Sequence, residues 1–188
     1  MNVYDFDNTI YDGESTFDFF FYCVKKQKSV IKYLFPVVRT LLQYKMCMIS
    51  IEALETRCEK YMVDFLSRIK NPKQLIVEFW DKNEHKIKSF YFEQKRDDDV
   101  IISASCDILL KEICKRLDIK NLIASEIDFD KMKVKNLCYG ENKVRIFNKL
   151  YPDAVIDEFY TDSKNDLPMA KIAKKAFFVK GRRITQWK

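Results

Sequence analysis

Two aspartates, Asp5 and Asp7, directly follow the apolar start of the chain. If residues 2–6 form a strand, side-chain alternation puts both carboxyl groups on one face, where the strand ends and a loop begins. In open α/β sheets, ligands bind at this edge, beside the carboxyl ends of the strands. A carboxylate pair is too costly to leave uncompensated there, so we expect a cation or a proton beside it.

Three further polar clusters lie just after a predicted strand or at the start of a predicted helix. They are Ser103 with Ser105, Lys143, and Asp162 with Asp166. On a doubly wound sheet, all of them could converge with the first two aspartates at one edge. Carboxylates suit Mg²⁺, and a hydroxyl beside backbone N–H groups can cradle an anion. Each cluster also has an ordinary alternative, which is helix capping for the serines and aspartates and a solvated surface charge for the lysine.

The apolar pattern predicts an α/β fold. Strands are predicted at residues 2–6, 100–102, 122–124, 156–160 and 176–179, with a hairpin or extended pair over 126–138. Helices are predicted at residues 15–27, 50–68, 72–95, 107–117, 141–150 and 166–174. Alternation from residue 96 onward indicates a Rossmann-like, doubly wound parallel sheet with helices on its faces. We therefore predict a core of residues 1–14 and 96–188, and an all-helical cap of residues 15–95 inserted after the first strand.

Composition narrows the class of protein. The net charge is +6, but the lysines are dispersed, which favours a solvated basic surface over a nucleic-acid site. None of the six cysteines forms a CxxC or Cys/His pair with metal-ligand spacing. We expect reduced thiols, no signal peptide and a cytoplasmic protein. The apolar window of residues 29–44 falls short of the ~20 residues that span a bilayer.

The polar clusters, in this order, resemble the four motifs of the haloacid dehalogenase-like phosphatases. Asp-Phe-Asp-Asn-Thr-Ile, from Asp5, resembles the first motif, and Ile-Ile-Ser103 resembles the second. Gly-Glu-Asn-Lys143 resembles the third, and Asp-Ser-Lys-Asn-Asp166-Leu-Pro resembles the fourth. One departure is Thr161, where many members have glycine. We expect a slightly altered backbone there, with metal binding kept.

The resemblance implies a phosphomonoester hydrolase with an aspartyl-phosphate intermediate. Asp5 would attack phosphorus, and Asp7 would protonate the leaving alcohol and then activate water. Ser103 and Lys143 would hold the phosphoryl oxygens. This chemistry is plausible because phosphoryl transfer depends mainly on charge neutralisation and in-line positioning.

The resemblance also implies Mg²⁺ as the cofactor. The Asp5 carboxylate, the Asp7 backbone carbonyl and Asp162 would hold the ion, with Asp166 in support. A small phosphorylated molecule would be the substrate, and the sequence carries no signal for an oligomeric state.

A helical cap after the first motif resembles the phosphoserine phosphatase branch. A glutamate nine residues past the nucleophile binds the substrate amino group in that branch, and Glu14 has this spacing from Asp5. Related groups that act on lipid phosphates also carry an acid near this position. The aromatic run at 17–22 and the apolar window at 30–42 exceed what a phosphoserine cover needs, but we favour core packing of a small cap over a lipid site.

Three hypotheses follow for the function. The first is a Mg²⁺-dependent phosphatase of a small soluble phosphomonoester, with phosphoserine as a candidate. The second is a peripheral-membrane phosphatase of a lipid phosphate such as phosphatidylglycerophosphate, docked through residues 17–42. A membrane surface is therefore a less favoured partner. The third is a non-catalytic binding module on the same fold.

Overall fold

A computed structural model of the chain describes residues 1–33, 35, 36, 39, 40, 43, 46, 48, 49, 51–128 and 133–188. The strands are β1 (Asn2–Tyr4), β2 (Val100–Cys106), β3 (Asn121–Asp128), β4 (Lys133–Asn136), β5 (Glu158–Thr161), β6 (Lys175–Lys180) and β7 (Arg183–Gln186). The helices are α1 (Ser15–Lys26), α2 (Ile51–Arg68), α3 (Pro72–Asn83), α4 (Ser89–Gln94), α5 (Asp107–Arg116), α6 (Glu141–Leu150) and α7 (Leu167–Ile172). Short 3-10 helices occupy Lys28–Tyr33, Glu84–Lys86 and Lys164–Asp166.

The strands form one sheet in the order β4-β3-β2-β1-β5-β6-β7. The five strands from β3 to β6 pair in parallel, whereas β4 and β7 pair in antiparallel fashion at the two edges. The sheet confirms the predicted α/β class with a Rossmann-like core. The first strand lies at its centre, between β2 and β5, so the residues that follow β1 lie at the middle of the sheet edge.

The sheet is buried on both faces, as its continuous apolar strands require. Tyr4 on β1 belongs to a core cluster that includes Trp80 of α3 and Leu110 of α5. Val3 belongs to the cluster on the other face, with Phe147 of α6 and Met169 of α7. Alternation along β1 thus divides neighbouring side chains between two cores, and this fixes the register of the strand.

The segment from 72 to 95 differs from its prediction as one helix. Pro72 begins α3 as predicted, but the helix ends at Asn83, and a 3-10 helix and the short α4 follow. Between them the chain returns to the loop after β1, where the Lys88 N–H donates to the Ile10 carbonyl over 2.8 Å. The two connecting segments that join residues 15–86 to the rest of the chain therefore run side by side.

The helices of the predicted cap share apolar contacts with the rest of the chain. The Trp80 indole N–H of α3 donates to the Leu109 carbonyl of α5 over 2.8 Å, and both residues are buried. Parts of the apolar window at 29–44 lie outside the described residues. No helix in the described part of the chain is long and apolar enough to cross a membrane. The boundaries of the core and cap stay a prediction.

Candidate active site

Three charged side chains meet at the carboxyl edge of the sheet. Asp5 follows β1 directly, and its N–H continues the strand pairing by donating to the Tyr160 carbonyl over 2.8 Å. The Lys143 ammonium lies 2.9 Å from Asp5 Oδ1 and 2.8 Å from Asp166 Oδ2. All three residues are buried. Because an isolated buried charge is very costly, this ammonium and its two carboxylates depend on one another.

The charges of this cluster do not balance. Burial acts to lower the pKa of Lys143, but Asp5 and Asp166 outweigh burial and raise it, so the ammonium stays protonated. Burial raises the pKa of Asp5, and Lys143 opposes that rise only in part. Burial also raises the pKa of Asp162, with Asp166 adding to the rise. The Lys143 ammonium contacts two carboxylates, and the carboxyl group of Asp162 lies near them, so a further cation would stabilise the group.

Thr161 adds a contact to this cluster that the sequence did not predict. Its hydroxyl donates to Asp166 Oδ2 over 2.8 Å and accepts from the Ser163 N–H over 3.0 Å. Thr161 is fully buried and has no positive φ, so the backbone here needs no glycine. The departure from the glycine of many family members therefore supplies a side chain that orients Asp166 toward Lys143.

Neutral donors hold the Asp7 carboxylate instead. The Ser15 N–H, at the start of α1, donates to Asp7 Oδ1 over 2.6 Å. The Ser105 hydroxyl of β2 donates to Asp7 Oδ2 over 2.5 Å. Ser105 Oγ also lies 2.8 Å from the Thr16 hydroxyl and 3.3 Å from that of Ser15. The Ser15 N–H binds Asp7 as the first N–H groups of a helix bind a capping carboxylate.

These donors offset only part of the effect of burial on the pKa of Asp7. Burial raises the pKa of Asp7, and the hydrogen bonds from Ser105 and Ser15 work against that rise. A carboxyl group with a raised pKa keeps its proton more readily near neutral pH. This property suits a group that gives up a proton to a leaving alcohol.

The predicted serines lie differently from expectation. Ser103 and Ser105 belong to β2, which extends to Cys106, so neither serine caps α5 and Cys106 stands at the N-cap. The strand continues because its buried side chains, including both serines, still face the interior. The Ser103 hydroxyl accepts from the Ser105 N–H over 3.0 Å. Its contact with a phosphoryl oxygen stays a prediction.

The loop after β1 joins the remaining candidate residues. Asn8 has a positive φ of 54°, and its side-chain amide donates to Glu14 Oε1 over 2.6 Å. The same side chain also interacts with Asp162, where it offsets a small part of the rise that burial causes in the pKa of that carboxyl group. The Lys88 ammonium donates to the Asn8 carbonyl. Glu14, Asp162 and Lys88 are thus linked through a single residue at the mouth of the site.

The few oxygen ligands at this site fit a divalent cation that keeps some of its water, and not one that side chains surround completely. No group of three or more His, Cys, Asp or Glu side chains in the described part of the chain could hold a metal by itself. The predicted ligands are two carboxylates, from Asp5 and Asp162, and a backbone carbonyl, from Asp7. Mg²⁺ keeps several waters and takes few protein ligands, all of them oxygens. The uncompensated carboxylates described above supply the charge for it.

Several residues of the site escaped the sequence analysis. Ser15 and Thr16 were predicted only to lie at the start of the first helix, and Lys88 carried no signal at all. Ser105 was named with Ser103, but as a helix cap. Thr161 did carry a signal, since it interrupts a motif that otherwise matches.

A separate open cavity of about 370 Å³ contains none of the predicted site residues. It lies between α5 and α6 beside β3, and lysines line part of its rim. The candidate active site is therefore the polar cluster at the sheet edge and not this cavity.

Comparison with known proteins agrees with this architecture. A model of the haloacid dehalogenase-like hydrolases matches residues 3–171. No sequence among the curated proteins matches the chain at a significant level.

Solved structures resemble the whole chain at low sequence identity. A protein with unknown function from Bordetella pertussis Tohama I has a TM-score of 0.75 at 13% identity, over 94% of this chain and 87% of its own. A phosphoserine phosphohydrolase-like protein from Francisella tularensis has a TM-score of 0.55 at 19% identity, over 94% and 86%. A probable phosphoserine phosphatase from Vibrio cholerae has a TM-score of 0.58 at 13% identity, over 93% and 55%. These likenesses show a shared fold.

Proposed function

We propose that this chain, which belongs to the haloacid dehalogenase-like hydrolases, is a phosphatase that hydrolyses phosphate monoesters through Asp5. The observation that carries the proposal is the buried Lys143 ammonium between Asp5 and Asp166. An ammonium beside a buried carboxylate lets that carboxylate approach an anionic substrate, because it lowers the repulsion between the two. The order of the four motifs along the chain supports the same assignment.

The proposed reaction takes place in two steps. In the first, an oxygen of Asp5 attacks phosphorus, the bond to the ester oxygen breaks, and Asp7 gives its proton to the leaving alcohol. In the second, water attacks phosphorus of the aspartyl-phosphate and loses its proton to Asp7, and the bond between phosphorus and the Asp5 oxygen breaks. Inorganic phosphate leaves, and both aspartates return to their starting states.

The remaining residues of the cluster position these two aspartates. Lys143 would bind the phosphoryl oxygens while it holds Asp5, and Ser103 would contribute its hydroxyl. Thr161 holds Asp166, which in turn fixes the ammonium from the other side. Ser15 and Ser105 orient the Asp7 carboxylate. Such preorganised donors accelerate phosphoryl transfer by stabilising the charge that develops on the transferred group.

Mg²⁺ is the proposed cofactor. Asp5, the Asp7 carbonyl and Asp162 would hold it, with Asp166 in support. When bound, it supplies charge neutralisation for the phosphoryl group. The excess of carboxylates over ammonium groups at the sheet edge supports this assignment.

The favoured substrate is a small soluble phosphomonoester, with phosphoserine as a candidate. Glu14 supports the candidate because it sits at the mouth of the site, joined to the loop of Asp5 through Asn8. In the phosphoserine phosphatase branch an arginine of the cap would hold the substrate carboxylate, but the candidate Arg57 gives no support, since it is exposed and donates to Gln43. Arg68 is exposed as well.

A lipid phosphate is the second candidate substrate. The observation that favours it is the exposure of Phe17 and Phe21 on the first helix of the predicted cap. These side chains lie within two turns of Ser15, which binds Asp7. A non-catalytic binding module, the third hypothesis, would not need the Lys143 ion cluster or a raised pKa on Asp7.

A phosphate-release screen with Mg²⁺ tests the proposal. Phosphoserine, short-chain lipid phosphates and simple aryl phosphates serve as substrates, and Asp5→Asn serves as the inactive variant. Asp12→Asn is the matched control, because Asp12 is an exposed aspartate of the same loop. We expect the Asp5 change to lower kcat by about 10⁴-fold or more, as losses of nucleophiles do. Full activity of Asp5→Asn would overturn the mechanism, and release from no phosphomonoester would overturn the function.

A further inference from the structure

The longest segment of the chain without an acidic side chain is basic. Residues 19–51 contain six basic side chains and no acidic one. Because the net charge of the chain is +6, the other residues together carry as many acidic as basic side chains. A second segment, residues 167–188, also lacks acids and contains seven basic side chains, so charge alone does not single out residues 19–51.

The same segment exposes large apolar side chains. Phe35, Met46 and Met48 are the most exposed large apolar residues in the described part of the chain, at 73%, 69% and 63%. Phe17, Phe21 and Ile31 are exposed as well. Isolated exposed apolar residues are common on protein surfaces, but these six lie within 32 residues of one acid-poor segment. We call the exposed residues of 17–48 the basic apolar patch.

Helix α1 shows how the patch is built. Phe19 and Cys23 are buried on one side of this helix, and Phe19 stacks edge to face on Phe79. Phe17, Phe21 and Lys25 are exposed and follow one another at intervals of four residues, so they form one stripe. The helix is therefore apolar on both sides of its first two turns, and its outer stripe ends in a positive charge.

We propose that the basic apolar patch docks the protein on an anionic lipid bilayer. Phenylalanines and aliphatic side chains enter the boundary between headgroups and acyl chains, while flanking Lys and Arg bind anionic headgroups. A nucleic acid would use the positive charge and the aromatic rings, but the exposed Ile31, Met46 and Met48 have no flat face on which a base could stack. The absence of acids over 33 residues suits a surface of uniform negative charge.

Docking would bring the active site to the membrane. The patch begins at Phe17, two residues from Ser15, whose N–H binds Asp7. At about 1.5 Å per residue along a helix, the first apolar side chain of the patch lies within one turn of the site. Docking does not require a lipid substrate, so the inference goes beyond the proposed function.

Vesicle co-sedimentation of the full chain tests the proposal. The probes are vesicles of phosphatidylcholine alone and vesicles of phosphatidylcholine mixed with phosphatidylglycerol. We expect binding to the anionic vesicles to exceed binding to the neutral ones about tenfold or more, and to weaken as salt is added. No binding to the anionic vesicles, or equal binding to both kinds, would overturn the proposal.

Two triple variants test the patch itself. One replaces Phe35, Met46 and Met48 with serine, and the other replaces Lys25, Lys28 and Lys32 with glutamate. Matched controls make the same changes at exposed residues elsewhere, namely Phe92, Leu150 and Val155 to serine, and Lys120, Lys149 and Lys180 to glutamate. We expect about a tenfold loss or more in each patch variant and less than a twofold loss in each control.

Three further readouts complete the test. Equal losses in patch and control variants would overturn the proposal, as would an oligonucleotide affinity that exceeds vesicle affinity and survives the apolar changes. Circular dichroism verifies that the exposed substitutions leave the fold intact. Vesicle binding by Asp5→Asn should equal that of the wild type, so the docking result is independent of whether the chain is a phosphatase.

Discussion

The two aspartates of the first loop lie two residues apart and are held by different means. Asp5 is bound through charge, because it contacts the buried Lys143 ammonium, which Asp166 binds from the other side. Asp7 is bound by neutral groups, which are the Ser15 N–H and the Ser105 hydroxyl.

This difference matches the work that we propose for each aspartate. A nucleophilic carboxylate has to be ionised when an anionic phosphate approaches, and the adjacent ammonium opposes the rise in the pKa of Asp5 that burial causes. A general acid has to gain and lose a proton, and a permanent positive charge beside it would hold it in the ionised form. The charged half of the site should therefore govern stability, and the neutral half should govern proton transfer.

Removal of the ammonium should have the largest effect on stability. Lys143→Met leaves Asp5 and Asp166 buried without a positive partner, so we expect a loss of about 3–5 kcal/mol in the free energy of unfolding. Urea denaturation measures this loss. Lys149→Met, at an exposed position of the same helix, should change stability by less than about 0.5 kcal/mol. Equal stability of the two variants would show that the ion cluster does not support the fold.

A change at Asp7 should have a small effect on stability and a large effect on the reaction rate. Asp7→Asn keeps the shape and one acceptor oxygen, so we expect the free energy of unfolding to change by less than about 1 kcal/mol. The single-turnover rate should fall about 10²–10⁴-fold on alkyl phosphates. Aryl phosphates should lose much less, because an acidic phenol leaves without protonation. An equal loss on both substrates would contradict the role of Asp7 as general acid.

A smaller effect is expected at Ser105. Ser105→Ala removes one of the two donors that hold Asp7, and the hydrogen bond to a charged group that is lost corresponds to about a tenfold fall in the rate on alkyl phosphates. The loss should again be smaller on aryl phosphates, which a purely structural defect would not produce. Ser105→Thr keeps the hydroxyl and should restore most of the rate. A uniform loss, or no rescue, would count against a positioning role.

The smallest effect is expected at Thr161. Thr161→Val removes the hydroxyl that binds Asp166 and keeps the shape of the side chain, so we expect a loss of about 1 kcal/mol in the free energy of unfolding. Thr161→Ser is the matched control, because it keeps the hydrogen bond and loses only a methyl group. A valine variant as stable as the wild type would show that the hydroxyl does not support the ion cluster.

The apolar pattern of the sequence predicted the elements of the fold whose formation depends on neighbouring residues. The α/β sheet followed from apolar runs and their alternation with helices, and Asp5 lies at the strand end as the sequence indicated. Strand β7 was missed, because its exposed residues show no apolar alternation. The break of the 72–95 segment was missed because it depends on pairing with the loop at Ile10.

The sequence predicted the site residues that belong to motifs, but not the contacts between residues that are far apart along the chain. Lys143 lies 138 residues from Asp5, and its place at the start of a predicted helix and the resemblance singled it out among many lysines. The contact between Ser105 and Asp7 joins residues 98 apart, and the sequence favoured helix capping for that serine. The unusual Thr161 drew notice, but its hydrogen bond follows from the turn that brings Asp166 back to β5.

Trapping of the covalent intermediate tests the central claim most directly. The protein is mixed with substrate and Mg²⁺, quenched in acid within the first turnover and digested, and the peptides are analysed by mass spectrometry. Our account predicts one phosphoryl group on Asp5, acid-stable and labile to hydroxylamine, and none in the Asp5→Asn variant. A phosphoryl group on another residue, or steady turnover without any phosphorylated peptide, would contradict it.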